Sequence, residues 1–560
     1  MTTPAATAPA ARPAIGPGSA ALVAEAHPTA RMTLAGQLRA FGFASVAQVG
    51  WLDDARREIE RHTFDVVVCG DSFAHGGTGQ ALLDDLRRSG LLPYRTVFIL
   101  ITDEATYPKV IEAAESAVDS YLVRPFSTGT LLDRIEQAQR RKAALDDIHQ
   151  LLEDGRADEA VERCLQRFAS RGPQALQAAR WGAEILMRRG RLGQAQALFQ
   201  SIWDSDPQPW ALLGVARCQL DDGAAAAALI TLQRLLELHP DYTDALDALA
   251  RAQTELGQFA DALDSLARAL AATPLAIGRQ QRLGMLAFFL GDRRQAVELL
   301  QRAATLGLDS KMFDAESLVL LALAAFERGD ADALHRQDAE LRRRTHAAPD
   351  DERLQRFSHL VEALRDAHDG RDVSAEVARW MQDCAQPHFD AEAACNLLAA
   401  LAALTQHGAL PPQPALVQRL GLRFGVSKAM SELLARAAEA HPPYAEQLRQ
   451  CEAAIVQRIE QALHLINHGS PSHGLAELGE LALQTLNGRA VDTAWLALQR
   501  HGAALPEASE WRRRLSPWRQ ALTAMRRRPL LGDPRLRPAG GIALAVLNRL
   551  NPLAIAGSAA

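Results

Sequence analysis

The sequence predicts a small α/β domain with a five-stranded parallel sheet, followed by a long all-α array of helical hairpins. Three observations predict it. Short apolar runs alternate with amphipathic stretches up to about residue 141. Strand-like runs fade beyond Asp146. From there on, glycine and alanine return at a fixed period, the mark of stacked repeats.

In the first region, Ala20–Ala24, Ser45–Val49, Phe64–Cys69, Thr96–Ile101 and Ser120–Val123 are the strand candidates. Val66, Val67 and Val68 in a row make the third the clearest. Pro28–Phe41, Leu52–Arg61, Gly79–Arg88, Pro108–Ser116 and Thr128–Arg141 carry helical spacing between and after them. Strands apolar on both faces are expected when helices cover both sides of a parallel sheet. Ligand chemistry in such a sheet belongs at the C-terminal ends of its strands.

Four segments at those ends carry a family likeness. "LVAEAHPTAR" (Leu22–Arg31), "FDVVVCGD" (Phe64–Asp71), "ILITDEA" (Ile99–Ala105) and "YLVRPF" (Tyr121–Phe126) together resemble the receiver domains of two-component response regulators. The resemblance implies a flavodoxin-like fold over residues 19–141. It puts Glu25 and Ala26 on the family's acidic pair, Thr102 on its hydroxyl position and Tyr121 on its aromatic switch position. It also puts Arg124 on the lysine position and Pro125 after it, where the family commonly has a cis peptide bond.

Read from the start of its strand, the family's phosphoacceptor aspartate falls on Gly70. Phosphoryl transfer of that kind needs a carboxylate nucleophile and a divalent cation held by acidic oxygens. Glycine offers no nucleophile, Ala26 removes one cation support, and the planar fork of Arg124 does not replace a lysine point charge. The expectation is therefore a degenerate receiver with no catalytic residue, no metal and no cofactor. Asp71 is the alternative acceptor. One step along a strand turns a side chain to the other face, yet the spacing from Asp71 to Gly79 fits the family better than that from Gly70. Both readings stay open at this point. The glycines of "GGTG" (Gly76–Gly79) lack a phosphate-loop pattern and read as a loop.

Behind this domain, Gly223, Gly257 and Gly291 recur every 34 residues, and so do Ala228, Ala262 and Ala296. Pro240 and Pro274 share the period. Gly155/Ala160 and Gly190/Ala195 keep the same internal offset upstream. Each unit reads as two antiparallel helices; in the best one, Asp244–Leu256 and Phe259–Leu270 flank Gly257. "ALDALARAQTELGQFADALDSLARALAATP" (Ala245–Pro274) resembles tetratricopeptide repeats, with Leu249, Ala250, Gly257, Ala262, Ala269 and Pro274 on the motif's positions. The resemblance implies a solenoid over residues 145–342 whose groove binds proteins or peptides. Arg217, Arg251 and Gln253 are groove candidates by repeat position.

Residues 345–540 also read as helical, as diverged repeats or a helical domain: Leu354–Ala367, Ser374–Cys384, Ala391–Thr405, Ser427–Ala440, Tyr444–Leu465, Gly474–Leu486 and Val491–Gln499. "HPP" (His441–Pro443) and "GSPSHG" (Gly469–Gly474) read as loops. Residues 1–18 read as a disordered lead and 541–560 as a flexible tail.

Composition narrows the function. A net charge of -6 spread over the chain does not suggest nucleic acid as a partner. The clusters Arg512–Arg514 and Arg526–Arg528 read as helix surface and a helix end. No apolar run is long enough for a membrane span, so a cytoplasmic location is expected. The six scattered cysteines do not form a disulfide framework, and Cys384, His388 and Cys395 are too few and too widely spaced for a zinc site. With no HExxH, GxSxG or Walker loop, the expected function is a non-catalytic signalling adaptor. A phosphoaccepting regulator using Asp71 and an assembly scaffold outside phosphorelay signalling are the alternatives.

Overall fold

The structure, a computed structural model, describes residues 15, 18–73, 78–79, 82–83, 86, 91–103, 118–274, 276–308, 313–502, 507–526 and 531. The helix expected over Pro108–Ser116, Gly76 and Gly77, Arg527 and Arg528, and the tail 541–560 lie outside these residues, as does nearly all of the lead 1–18. The chain divides into two compact units, one reaching Cys218 and one starting at Gln219.

The first unit opens with five parallel strands: β1 (Ala20–Ala24), β2 (Ser45–Val49), β3 (Val66–Gly70), β4 (Val97–Thr102) and β5 (Ser120–Val123), in the order β2-β1-β3-β4-β5. Helices α1 (Pro28–Ala40), α2 (Leu52–Arg61) and α3 (Thr128–Ala144) flank them. Alternation sorts the strand residues into two cores. Ala21, Val23, Val66, Val68, Ile99 and Ile101 pack with Leu34, Leu38, Leu131 and Ile135 on one face. Leu22, Val67, Cys69, Phe98 and Leu100 pack with Ala55, Ile59 and Leu83 on the other. β3 and β4 are buried along their whole length, and each fully buried aliphatic side chain contributes about 1.5–3 kcal/mol. The third strand starts at Val66 and ends at Gly70, shifted along the chain from the expected Phe64–Cys69. Gly70 pairs with Ile101, so the ladder continues past Cys69.

Helix α3 leads through Leu145 into α4 (Asp146–Glu153), α5 (Ala157–Ala169), α6 (Ala175–Arg188), α7 (Leu192–Ser205) and α8 (Pro209–Asp221). An aromatic joint ties the sheet to these helices. Tyr94, just before β4, stacks on His149 of α4 with ring centroids 4.3 Å apart and meets Trp181 of α6 edge-on at 5.3 Å. Lys142 of α3 donates to the Thr96 carbonyl at 2.6 Å and pairs with Asp119 at 2.8 Å, pinning the starts of β4 and β5.

The second unit is helical throughout its described residues. Hairpins α10 (Thr243–Glu255)/α11 (Phe259–Ala272), α12 (Ile277–Phe289)/α13 (Arg293–Gly307) and α14 (Glu316–Arg328)/α15 (Ala331–Ala347) follow α9 (Ala225–Leu238). Gly155, Gly190, Gly223, Gly257 and Gly291 all have positive φ. The repeating glycine thus ends the first helix of each hairpin in a left-handed turn that a Cβ would strain. Ala228, Ala262 and Ala296 are wholly buried where facing helices meet.

Then come α16 (Glu352–His368), α17 (Ser374–Asp383), α18 (Ala391–Gln406), α19 (Pro414–Phe424), α20 (Lys428–Ala437), α21 (Pro442–Asn467), α22 (Pro471–Thr485), α23 (Gly488–His501) and α24 (Ala508–Arg526). Two expected loops are corrected here. Pro442 and Pro443 open α21, and Pro471 opens α22. Proline suits a first helical turn, where the missing N–H has no intrahelical acceptor anyway. Helix α19 has no counterpart among the expected helices.

Candidate functional site

The strand ends of the sheet bring Glu25, Gly70, Asp71, Thr102 and Arg124 to one mouth. Strand parity divides them. Glu25 continues the Ala21/Val23 face and Gly70 the Val66/Val68 face, so both belong to the α1/α3 side. Asp71 and Thr102 continue the Val67/Cys69 and Phe98/Leu100 face.

On the first side, Glu25 is 3% exposed and fully engaged. Its Oε1 accepts the His27 N–H at 3.0 Å, and its Oε2 accepts Arg124 Nη2 at 2.6 Å. Arg124 Nη1 reaches Asp103 at 3.0 Å. Burial works against the Arg124 charge, but the bonds to Asp103 and Glu25 outweigh it and hold the guanidinium more firmly protonated than usual. A Cβ placed on Gly70 would stand 2.8 Å from Glu25 Oε2, so the carboxylate fills the space that a side chain at 70 would occupy. Arg31 adds a second guanidinium, donating to the carbonyls of Glu25 at 2.6 Å and Ala26 at 3.3 Å.

On the other side, half-buried Asp71 follows directly after β3. Its N–H donates to the Ile101 carbonyl at 2.8 Å, and its own carbonyl accepts the Gly79 N–H at 3.1 Å. Thr102 Oγ1 donates to Asp71 Oδ2 at 3.4 Å. Cys69, wholly buried on this face, has its thiol pushed up by burial first, then by Glu25 and Asp71. Tyr121 packs half-buried on this same face. The Arg124–Pro125 peptide is cis.

Sequence reading missed Arg31, His27 and Asp103. Arg31 and His27 stand inside the Leu22–Arg31 segment and Asp103 directly after Thr102, so all three were in view. Their roles come from geometry that spacing does not encode.

In the array, two groove candidates are corrected. Arg251 points into the hairpins, pairing at 2.8 Å with both Asp221 and Glu255. Gln253 is 8% exposed and accepts from Ser265 at 2.8 Å. Arg251 Nε and Nη1 and the Gln253 side-chain carbonyl are thus engaged within the repeats. Arg217 is half-buried on α8. Arg513 and Arg514 pair with Glu510 and Glu480. All six cysteines are free thiols and buried. Among the described residues no cluster of His, Cys, Asp and Glu is arranged to hold a metal, and no helix is long and apolar enough to cross a membrane.

Residues 21–136 match the response regulator receiver domain, and residues 210–242 match a tetratricopeptide repeat. The chemotaxis protein CheY of Pseudomonas aeruginosa is 31% identical over 120 residues, which cover 21% of this chain and 95% of that protein. Cellulose synthase operon protein C of Pseudomonas fluorescens is 29% identical over 168 residues, 28% of this chain and 13% of that protein. Among solved structures, the P58(IPK) TPR domain is similar at 13% identity, covering 68% of this chain and 98% of its own, with a TM-score of 0.21. With the sheet order, the strand-end site and the curated relative in agreement, the chain belongs to the response regulator receiver family and carries tetratricopeptide repeats behind its receiver domain.

Proposed function

We propose that the chain is a non-catalytic signalling adaptor in the cytoplasm, a pseudo-receiver that presents a protein-binding repeat array. One observation carries the reading. The acid retained at the end of β1, Glu25, is paired with Arg124 at 2.6 Å and takes up the volume next to Gly70. A divalent cation at that position would compete with a guanidinium already hydrogen-bonded there, and an acyl phosphate on residue 70 has no carboxylate to form on. The receiver fold then serves as a docking body, and the tetratricopeptide repeats, which generally mediate protein–protein interactions, supply the contacts to other proteins.

A phosphotransfer assay on the full chain with acetyl phosphate and Mg²⁺ tests this. No incorporation is expected. Incorporation that Asp71→Asn abolishes overturns the reading in favour of a working regulator. That second reading has its own support: the Asp71 carboxylate lies 3.4 Å from the Thr102 hydroxyl, on the side of the sheet away from the Glu25–Arg124 pair. The third reading, an assembly scaffold, is separated from the first by affinity capture. Histidine kinases or chemotaxis proteins among the partners favour signalling, and their absence beside a defined assembly favours the scaffold.

A further inference from the structure

The first helices of the hairpins, α10, α12 and α14, continue into α16 as one row, and a later part of the same chain lies on that row. Helix α18 packs on α14 and α16, and α20 packs on α10 and α12. The second helices, α11, α13 and α15, have helices of the array as their principal neighbours. Burial records the difference. α11 buries one stripe, Ala262, Ser265, Leu266 and Ala269, as a helix with solvent behind it does. α14 is buried without a break from Glu316 to Phe326, and α18 from Glu392 to Leu404. Helix α20 rests on one hairpin turn: a Cβ on Gly257 would stand 3.2 Å from the Cβ of Ala429, and at the next turn one on Gly291 would stand 3.7 Å from Oε2 of Glu439, which follows α20.

The seam beneath α18 is polar. Arg353 Nη2 of α16 reaches Asp314 at 2.8 Å, Glu392 at 2.6 Å and Glu316 at 3.8 Å, so three carboxylates share one guanidinium. Asn396 Nδ2 donates to Glu316 Oε1 at 3.1 Å. Glu316 Oε2 and Asn396 Oδ1 are buried with no hydrogen-bond partner among the described residues. Each such atom weakens a closed core. Faces that separate and rejoin carry polar groups readily, because water satisfies them when the faces part.

We infer that α18 to α20 are an internal occupant of the row, an autoinhibitory segment held by the Arg353 cluster, and that the row becomes available to partner proteins when residues 391–437 lift off without global unfolding. The inference rests on the reading of the array as a protein-binding module and adds that its binding face is closed by its own chain.

Native-state hydrogen exchange on the full chain, followed by mass spectrometry over a series of sub-denaturing urea concentrations, tests it. Residues 391–437 are expected to exchange through an opening of smaller urea dependence than α11 and α13 show. Arg353→Met is expected to speed exchange in 391–437 at least tenfold while α11 and α13 keep their protection. Exchange of 391–437 only together with α11 and α13 in the wild type overturns the inference. So does an equal acceleration of all three segments in Arg353→Met. A chain that fails here yet takes up no phosphoryl group refutes the occupied row alone and leaves the adaptor reading standing.

Discussion

Glu25 Oε2 accepts Arg124 Nη2 at 2.6 Å, and the same oxygen lies 2.8 Å from the point where a Cβ on Gly70 would stand. One carboxylate therefore replaces a missing side chain and neutralises the cation at the end of β5. The Glu25 side chain is 4% exposed and that of Arg124 27%. Arg124→Ala strands a buried charge. Breaking a fully buried pair costs about 3–5 kcal/mol, and partial access to water brings the expected loss to about 2 kcal/mol. A urea titration of the first unit's transition reads it as a lower midpoint at unchanged slope. The double variant Glu25→Gln/Arg124→Met should recover most of the loss. An unmoved midpoint in Arg124→Ala removes the pair from any structural role.

Gly223 and Gly257 occupy the same repeat position with φ of +83° and +77°, but their surroundings differ. Nothing lies within 4 Å of a Cβ built on Gly223, whereas one on Gly257 meets the Cβ of Ala429 at 3.2 Å. Gly223→Ala carries the left-handed backbone cost alone, about 1 kcal/mol. Gly257→Ala adds displacement of α20, about 1 kcal/mol more. Thermal unfolding of the two variants side by side measures the gap, and equal losses contradict the seating of α20 on that turn.

The sheet was legible because each buried strand shows its apolar faces in composition, and four of its five candidates both begin and end within a residue of the observed strand. The hairpins were legible for another reason: a left-handed turn selects glycine, and a close helix approach selects alanine, at fixed intervals. Less readable were Pro442 and Pro471, since proline signals both a loop and a helix start. The mouth of the sheet was legible residue by residue but not as a network. Gly70, Ala26 and Arg124 announce an altered site. That Glu25 turns to fill the space beside Gly70, while Asp71 turns toward Thr102, depends on strand parity and on Arg31, which no spacing reveals. Least legible was the cover over the first-helix row, because contacts such as Glu316 with Asn396 join residues far apart in the chain.

His149 makes the joint between sheet and helices sensitive to acid. Burial holds its imidazole below the ordinary value of 6.5. Glu153 and Asp146 pull the other way, while Lys142 and Arg95 reinforce the shift, and the Tyr94 ring covers one face of the imidazole. With the folded value lowered, the joint carries no cost above pH 6.5. As pH falls below it, the opened state takes up the proton first and the joint loses stability, by up to about tenfold in the opening equilibrium for each pH unit. Hydrogen-exchange protection of residues 142–153 should drop between pH 7.5 and 5.5. His149→Phe keeps the stack and should flatten that drop, and an identical drop in the variant assigns it to other groups.

Glu316 gives the opposite sign at the seam beneath α18. Burial raises its carboxyl well above the usual 4.5, and the carboxylates of Glu392 and Asp314 raise it further, against Arg353 and Asn396. Above pH 4.5 an opened Glu316 gives up its proton while the closed one retains it. Closure then binds the extra proton, and rising pH favours opening until the closed-state value is passed. Each pH unit inside that window changes the opening constant by up to about tenfold. Protection of residues 391–406, corrected for intrinsic exchange, should fall from pH 6 to pH 8.5 in the wild type. Glu316→Gln mimics the protonated form and should make the fall shallower, Glu392, whose carboxyl burial also raises, carrying what remains. Loss of protection with the same slope in Glu316→Gln would show that the seam does not titrate through this residue.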